Sequence, residues 1–151
     1  MSPRRPPSPE VIAAAAEGVR AVYAELDRRP VDRDCIRRTE CCRFRLTGKT
    51  PQVTRGEAMV LAKGWRAKGH SEVAARPDGV CPVLDPATGN CLAYADRPFS
   101  CRTHFCEAAG GPYRRKEVID LIHKLEAIDA TLGSDGPLAL PIALAAALRR
   151  G

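Results

Sequence analysis

The sequence predicts a mainly α-helical protein with an irregular, cysteine-rich core and at most a small β-hairpin. Apolar residues recur at helical spacing near both ends of the chain and in one stretch near its middle. All seven cysteines fall between residues 35 and 106, where such spacing is mostly absent. The 151 residues, 44% of them hydrophobic but only 5% aromatic, fit one domain with a modest core. A core of this size often needs further cross-links, which cysteines can provide.

The first predicted helix covers residues 9–28. Ser8 is a suitable N-cap, and Pro9 fits the first helical position. The run Arg28-Arg29-Pro30 ends the helix. Residues 1–7 precede it and are expected to form a disordered tail. The apolar face of the helix consists of Ile12, Ala15, Val19, Val22, Tyr23 and Leu26.

A second helix is predicted to begin after Thr54, because Thr54 and Glu57 have the spacing of a capping box. Gly69 or the polar residues near it are expected to end the helix. Trp65 is expected to lie in the core, since an indole buries a large area. His70 lies at the helix end, where we expect it to be exposed. The predicted apolar face consists of Ala58, Leu61, Ala62 and Trp65.

The last third of the chain predicts two more helices. The longer one covers about residues 115–132, with Gly133 as its stop. A short, Ala-rich helix follows at residues 141–150. The apolar face of the longer helix consists of Val118, Leu121, Ile122, Leu125, Ile128 and Leu132.

The stretch between Cys81 and Cys91 carries Asp-Pro and Gly-Asn turn signals between two short apolar runs. This pattern is typical of a small hairpin or a metal-binding loop. Together with the helices, it predicts a single domain over residues 8–151. Within that domain, a metal-binding core at residues 31–106 is flanked by the helices at about 9–28 and 115–132.

The number of cysteines is odd, which argues against a closed set of disulfides. The N-terminal residues lack the apolar core of a signal peptide, and no stretch is long and apolar enough for a membrane span. We therefore expect a cytoplasmic protein without a membrane partner. In a reducing cytosol, clustered cysteines more often bind metal or take part in redox chemistry than form structural disulfides.

The cysteines form two groups separated by the second predicted helix. Thiolates bind soft and borderline metals, so both groups point to iron, an Fe–S cluster or zinc. Neighbouring side chains tend to point in different directions, so Cys41 and Cys42 are not expected to bind one ion side by side. The spacings match neither common zinc fingers nor ferredoxins. The groups are Cys35, Cys41 and Cys42, and Cys81, Cys91, Cys101 and Cys106.

Taken in order, these elements resemble the YkgJ-type cysteine-cluster family of zinc- or iron-chelating domains. The family opens with C-x-x-C-x-x-C-C, followed by a T-x-x-E helix start, a Cys-Pro, a Cys-x-x-Tyr and an Arg-Pro-x-x-Cys-Arg. The resemblance covers roughly residues 35–106 and implies metal chelation rather than a reaction. The matching elements here are Cys35 with Cys41-Cys42, Thr54 to Glu57, Cys81-Pro82, Cys91 to Tyr94, and Arg97-Pro98-Phe-Ser-Cys101-Arg102.

One position departs from that pattern, because Arg38 stands where the family has its second cysteine. The site then either loses a metal, keeps an open position for water or a substrate, or recruits His104. His104 is equally well explained as a surface or structural side chain. Nearby arginines would offset the net negative charge of a 4Fe–4S cluster held by four thiolates. A general preference for arginine in this chain explains the presence of these residues equally well. The arginines placed for this role are Arg37, Arg38, Arg43 and Arg102.

The leading hypothesis is a metal-binding protein that holds iron or an Fe–S cluster, with 4Fe–4S favoured, and acts in redox or as an enzyme accessory. The expected partners are the metal and a protein that exchanges electrons with it. The alternative is a Zn²⁺-stabilised module that contacts a protein or nucleic acid through its basic half. Residues 1–70 carry 15 Lys and Arg against 8 Asp and Glu, whereas residues 71–151 carry 9 against 10. No nucleic-acid motif accompanies this charge, so nucleic acid is not expected.

An enzyme in its own right is the third class, and it rests on an open metal position. No phosphate-binding loop, radical-SAM motif or Ser/His/Asp set is present to support it. The candidate metal ligands are therefore all seven cysteines and one histidine: Cys35, Cys41, Cys42, Cys81, Cys91, Cys101, Cys106 and His104.

Overall fold

A computed structural model describes residues 5–29, 50–73, 80–85, 87–88, 90–103 and 114–150. These residues form mainly helices, which confirms the predicted fold class. The helices are α1 (Pro9–Arg28), α2 (Arg55–Ala67), α3 (Phe99–Thr103), α4 (Arg115–Thr131) and α5 (Leu140–Arg149), with a 3-10 turn at Tyr94–Asp96. Two short strands, β1 (Gln52–Val53) and β2 (Leu138–Ala139), complete the described elements.

Helix α1 has the predicted bounds and the predicted N-cap. The Ser8 hydroxyl accepts a hydrogen bond from the Val11 amide at 3.3 Å, which satisfies one of the amides that a helix start leaves without a partner. Ile12 is 39% exposed, so it lies at the edge of the predicted apolar face. The other five predicted residues are buried: Ala15, Val19, Val22, Tyr23 and Leu26.

Helix α2 begins at the predicted capping box. The Thr54 hydroxyl accepts from the Glu57 amide at 3.3 Å, and the Glu57 carboxylate accepts from the Thr54 amide at 3.1 Å. Past the helix end, Gly69 adopts a positive φ of 89°, which favours glycine. The predicted apolar face is buried, and Val60 is buried on a second side that the sequence pattern did not reveal. Helix α2 therefore lies between two apolar clusters.

Trp65 is buried, as predicted, and its indole nitrogen donates to the Glu72 carbonyl at 3.1 Å. The expectation that His70 is exposed is wrong. Its ring stacks on the Trp65 indole with centroids 3.9 Å apart, so the imidazole is half-buried. A flat aromatic surface at the end of the helix provides a contact that the helical spacing alone did not indicate.

One apolar cluster joins α1, α2 and α4. Helix α4 ends where predicted, with Gly133 at a φ of 68° just beyond it. Its predicted face is buried at Val118, Leu121 and Leu125, and Ile122 and Ile128 are partly buried against the cluster. The members from α1 and α2, together with Phe99 from α3, are Val19, Val22, Tyr23, Leu26, Val60 and Phe99.

The second cluster joins α2 and α5 to the cysteine-bearing stretch. The short last helix begins at Leu140, one residue before the predicted start. Its entry is fixed by the pairing of β1 with β2, in which Gln52 lies opposite Ala139 and Val53 opposite Leu138. This antiparallel pair joins segments far apart in the chain, so it is separate from the stretch between Cys81 and Cys91 for which a hairpin was predicted. The cluster members from α2, α5 and β1 are Val53, Ala58, Leu61, Ala62, Trp65, Leu140, Ala143, Leu144 and Ala147.

The domain boundaries remain predictions. Residues 1–4 of the predicted tail lie outside the described residues, and residues 5–8 have no helix or strand. Residues 31–49 of the predicted metal-binding core also lie outside them. Within the described part of the chain, none of the helices combines the length and apolar character required to cross a membrane.

Candidate metal centre

Three of the eight predicted ligands, Cys81, Cys91 and Cys101, belong to the residues that the structure describes. They lie in a segment that we call the cysteine segment, which comprises the described residues from 80 to 103. The other five predicted ligands lie outside the described residues: Cys35, Cys41, Cys42, His104 and Cys106.

Cys81 and Cys91 lie on the two arms of a narrow loop. Leu84 forms an antiparallel bridge with Cys91, and the Leu92 amide donates to the Val83 carbonyl at 2.9 Å. The Leu84 amide donates to the Cys81 carbonyl at 3.1 Å, which turns the first arm. The stretch between Cys81 and Cys91, for which a hairpin or a metal-binding loop is predicted, therefore forms a hairpin-like turn in its described residues.

The Asp85 side chain closes the tip of this loop. Its carboxylate accepts from the Ala87 amide at 3.0 Å and from the Thr88 hydroxyl at 2.8 Å. The Asp85 amide donates to the Asn90 carbonyl at 2.8 Å, across the loop. Hydrogen bonding, first from the Ala87 amide, lowers the pKa of Asp85. The ionised carboxylate thus holds the turn between the two cysteines.

Cys101 lies in α3, a helix of five residues that would not be stable alone. Contacts with two distant elements hold it. The Phe99 amide donates to Glu57 Oε1 of α2 at 2.6 Å, and the Ser100 hydroxyl donates to the Gln52 carbonyl of β1 at 3.0 Å. The position of the Cys101 thiol therefore depends on α2 and β1 rather than on local helix stability.

Glu57 is a buried acid, with 2% of the residue exposed, and its carboxylate accepts four hydrogen bonds. Besides the Phe99 amide, the Tyr23 hydroxyl donates to Oε1 at 3.0 Å. The Thr54 amide and the Thr54 hydroxyl each donate to Oε2 at 3.1 Å. Glu57 therefore joins α1, α2 and α3 at one point.

Burial raises the pKa of Glu57, although its hydrogen bonds act in the opposite direction. Burial and then the charge of Glu57 raise the pKa of Tyr23 well above its usual range, so that Tyr23 stays protonated and donates. The four donors satisfy both oxygens of the carboxylate, which makes the buried acid tolerable.

Arg102 folds back over the turn that precedes α3. Its guanidinium donates to the carbonyls of Arg97 at 2.6 Å and Ala95 at 2.7 Å. It also lies 4.0 Å from the centre of the Tyr23 ring. Burial lowers the pKa of Arg102. The guanidinium thus has a structural role, and the predicted charge partners Arg37, Arg38 and Arg43 lie outside the described residues.

Two further contacts attach the cysteine segment to α2. The Lys68 ammonium donates to the Leu92 carbonyl, next to Cys91. The Asp96 carboxylate lies directly against the backbone of Gly64, where an added Cβ would overlap it. Gly64 therefore permits the 3-10 turn to approach α2 closely.

The three described cysteines share one apolar environment. Cys81 is a free thiol, 3% exposed, within the α2–α5 cluster, and Cys91 and Cys101 are half-buried against the same cluster. Thiols in such an environment fit zinc and iron better than calcium or magnesium, which require oxygen ligands. Among the described residues, no three His, Cys, Asp or Glu side chains form a group that could hold a metal.

The sequence patterns missed the contacts that position Cys101. Glu57 was interpreted only as a cap, and Tyr23 only as part of an apolar face. One signal could have indicated a role for Glu57 and Arg102, since both belong to elements of the family pattern. Glu57 is the acid of the T-x-x-E element, and Arg102 follows Cys101 in the Arg-Pro-x-x-Cys-Arg element. The structure places these two elements in contact through the Phe99 amide.

A family model described as "CxxCxxCC: Putative zinc- or iron-chelating domain" matches residues 34–124, more than half of the chain and a range that includes all seven cysteines. Neither the curated proteins nor the solved structures gave a match. The chain therefore belongs to the CxxCxxCC, or YkgJ-type, family of zinc- or iron-chelating domains.

Proposed function

We propose that the protein binds iron as an Fe–S cluster through cysteines of both groups and acts in redox or as an accessory to an enzyme. One observation carries the proposal: Cys81, Cys91 and Cys101 pack against a single apolar cluster within the region that the family model covers. Ionised thiolates are poorly solvated in such a place unless a metal binds them. A bound cluster supplies one-electron transfer.

The preference for Fe–S over zinc rests on the setting of the thiols rather than on their number or spacing. Four cysteines complete either a zinc site or a 4Fe–4S cluster, and the spacings match neither zinc fingers nor ferredoxins. The apolar surroundings of Cys81 limit access of water, which is a means of tuning a redox potential. The same requirement for reduced thiols supports a cytoplasmic location.

The described residues contribute to this function by holding the thiols in place. Glu57 and Arg102 fix the short helix of Cys101, and Asp85 fixes the loop between Cys81 and Cys91. We assign ligand roles to Cys35, Cys41, Cys42, Cys81, Cys91, Cys101 and Cys106. Because Arg38 replaces a family cysteine, we add that His104 or an exogenous ligand completes the set.

The alternative, a zinc-stabilised module with a basic binding face, receives less support. Several of the described basic side chains have partners within the chain. Arg29 binds Asp120, Arg66 donates to the Ala147 and Leu148 carbonyls, and Lys68 donates to the Leu92 carbonyl. These contacts favour a structural role for those cations over recognition of nucleic acid.

Purification without oxygen, followed by iron, zinc and acid-labile sulfide analysis, tests the proposal. We expect iron and sulfide in comparable amounts and visible absorption from charge transfer between sulfur and iron. Zinc without sulfide would instead support the alternative. Less than about half an equivalent of either metal, with all thiols titratable, would refute metal binding itself.

Two substitutions test the proposed ligands. Arg38→Cys restores the family pattern and is expected to raise metal retention, whereas His104→Ala is expected to lower it. His123→Ala, at a histidine on α4, is the matched control and should change nothing. Unchanged metal content and spectra in both test variants would place positions 38 and 104 outside the coordination sphere.

A further inference from the structure

The short helix α3 is held at two points, and Cys101 lies between them. At the start of the helix, the Phe99 amide donates to Glu57 Oε1 of α2 at 2.6 Å. Near its end, the Arg102 side chain is 9% exposed and donates to two carbonyls of the turn that precedes α3. A helix of five residues does not hold its own shape. The direction of the Cys101 side chain therefore depends on what fixes Glu57 and Arg102.

Both of these groups contact one side chain of α1, that of Tyr23. The Tyr23 hydroxyl donates to Glu57 Oε1 at 3.0 Å, which is the same oxygen that accepts from the Phe99 amide. The Arg102 guanidinium lies over the Tyr23 ring, 4.0 Å from its centre. Tyr23 thus contacts the group that holds the start of α3 through its hydroxyl, and the group that holds its end through its ring.

Burial strengthens both contacts. Only 4% of Tyr23 and 2% of Glu57 is exposed, so bulk water does not readily replace a lost hydrogen bond. Without the hydroxyl, Oε1 would keep one of its two donors, and the buried carboxylate would need a water molecule at the start of α3. The attraction between a guanidinium and an aromatic ring is likewise stronger where water is excluded. Loss of either contact is therefore expected to loosen α3.

Tyr23 lies before residues 34–124, the range that the family model matches. Its two partners and Phe99 lie within that range. Packing fixes α1 in place, since its buried face joins the cluster shared with α2 and α4. Asp27, one turn beyond Tyr23, also lies 3.9 Å from the Arg102 guanidinium, but its side chain is 69% exposed and the pair contributes little. The support of α3 therefore extends to an element outside the matched residues.

We propose that Tyr23 is a positioning residue of the metal centre, which keeps Cys101 in place by fixing both Glu57 and Arg102. This inference rests on the proposed function, in which Cys101 is a metal ligand. Tyr23 itself binds no metal, because its hydroxyl is used as the donor to Glu57. Retention of the metal then depends on α1. Since linkage is reciprocal, a metal bound at Cys101 also slows the opening of α3.

Hydrogen exchange measured residue by residue on the full chain loaded with Zn²⁺ tests the positioning role. Tyr23→Phe removes one oxygen and keeps the ring, so exchange at the Phe99 amide should become about tenfold faster, as loss of a hydrogen bond to a charged group predicts. Tyr23→Leu also removes the ring and should speed exchange at the Arg102 amide as well. If Tyr23→Leu does not fold, Tyr23→Phe alone decides.

Val22→Ala is the matched control, because it removes buried contacts from the neighbouring position of α1 and leaves the polar contacts intact. It lowers global stability, yet it should leave the ratio of exchange rates between α3 and α4 unchanged. The same increase at Phe99 in Val22→Ala and Tyr23→Phe would show general destabilisation only and overturn the proposal.

Release of Zn²⁺ to a coloured chelator gives the second measurement, since thiolates bind zinc as well as iron. Tyr23→Phe should release Zn²⁺ about tenfold faster than the wild type, and Val22→Ala at the wild-type rate. Faster exchange without faster release would show that Tyr23 holds α3 but not the metal centre, which overturns the proposal. Wild-type protein that holds neither Zn²⁺ nor iron would refute the proposed function, whereas a mistaken role of Tyr23 shows as unchanged exchange and release in protein that does bind Zn²⁺.

Discussion

The helical frame and the cysteine segment are stabilised in different ways. The frame, which we define as α1, α2, α4 and α5, buries continuous apolar faces, with Leu121 and Leu144 fully inaccessible. The cysteine segment has a single bridge, a 3-10 turn and a five-residue helix. It is attached to the frame by buried apolar residues, among them Val80, Val83 and Leu84 in the α2–α5 cluster and Phe99 in the other, and by single contacts at Glu57, Gly64 and Lys68. The frame is therefore expected to fold from its own packing, whereas the segment depends on the frame and, under the proposed function, on metal.

The largest effect on stability is expected from a substitution that creates a cavity in the core of the frame. Leu121→Ala should destabilise the protein by about 2–5 kcal/mol, because Leu121 is fully buried between α1, α2 and α4. Urea unfolding followed by circular dichroism measures the change. Ile142→Ala on α5, where the side chain is 59% exposed, should change stability by less than about 0.5 kcal/mol. Equal effects of the two variants would contradict the packing described for the frame.

The second largest effect on stability is expected from a substitution at the contact between the cysteine segment and the frame. Glu57→Gln should cost about 1–3 kcal/mol, because an amide group replaces an oxygen that accepts from a buried donor. Hydrogen exchange measured residue by residue should rise at the Phe99 amide more than in α4. Glu126→Gln, at an exposed acid of α4, is the matched control. Protection at Phe99 equal to that of the wild type would show that Glu57 does not hold α3.

A smaller effect on stability is expected where the 3-10 turn lies close to α2. Gly64→Ala should destabilise by about 1 kcal/mol, because the new methyl group displaces the Asp96 carboxylate. In an Asp96→Ala background the same change should stabilise by about 0.5–1 kcal/mol, since alanine favours a helix over glycine. A double-mutant cycle from urea unfolding measures this reversal of sign. Additive effects would mean that Gly64 and Asp96 are not in contact.

The smallest effect concerns an ion pair on the surface of the frame. Hydrogen bonding from Arg29 lowers the pKa of Asp120, so the folded protein binds fewer protons there than the unfolded chain does. This contribution to stability is fully present above the ordinary aspartate pKa of about 3.9 and is lost as the pH falls through the lower folded value. Asp120→Asn should therefore destabilise at neutral pH but not in acid.

Urea unfolding at a series of pH values measures that difference. Glu17→Gln, at an exposed acid of α1, serves as the control and should leave the pH dependence unchanged. A constant difference between Asp120→Asn and the wild type across the range would show that the ion pair contributes nothing. High salt should reduce the effect, since exposed ion pairs are screened.

The sequence predicted much of the frame because its signals are local. Ser8, Pro9 and the Thr54–Glu57 capping box mark two helix starts, and apolar residues at helical spacing mark the buried faces. The candidate metal centre could be predicted less completely from local patterns. Its residue types and order indicated metal chelation, but the spacings did not reveal which side chains hold the thiols. All eight predicted ligands remain predictions, and five of them lie outside the described residues.

The sequence by itself determined the four helices of the frame, the caps at Ser8 and Thr54, and the chemical character of the cysteine-rich region, since each depends on residues within a few positions of one another. Only the tertiary structure decided how these parts meet. The Glu57 bond to Phe99 spans 42 positions, and the pairing of Val53 with Leu138 joins segments 85 positions apart. Such contacts form because folding brings distant donors, acceptors and apolar surfaces together, and no local pattern encodes which of them will meet.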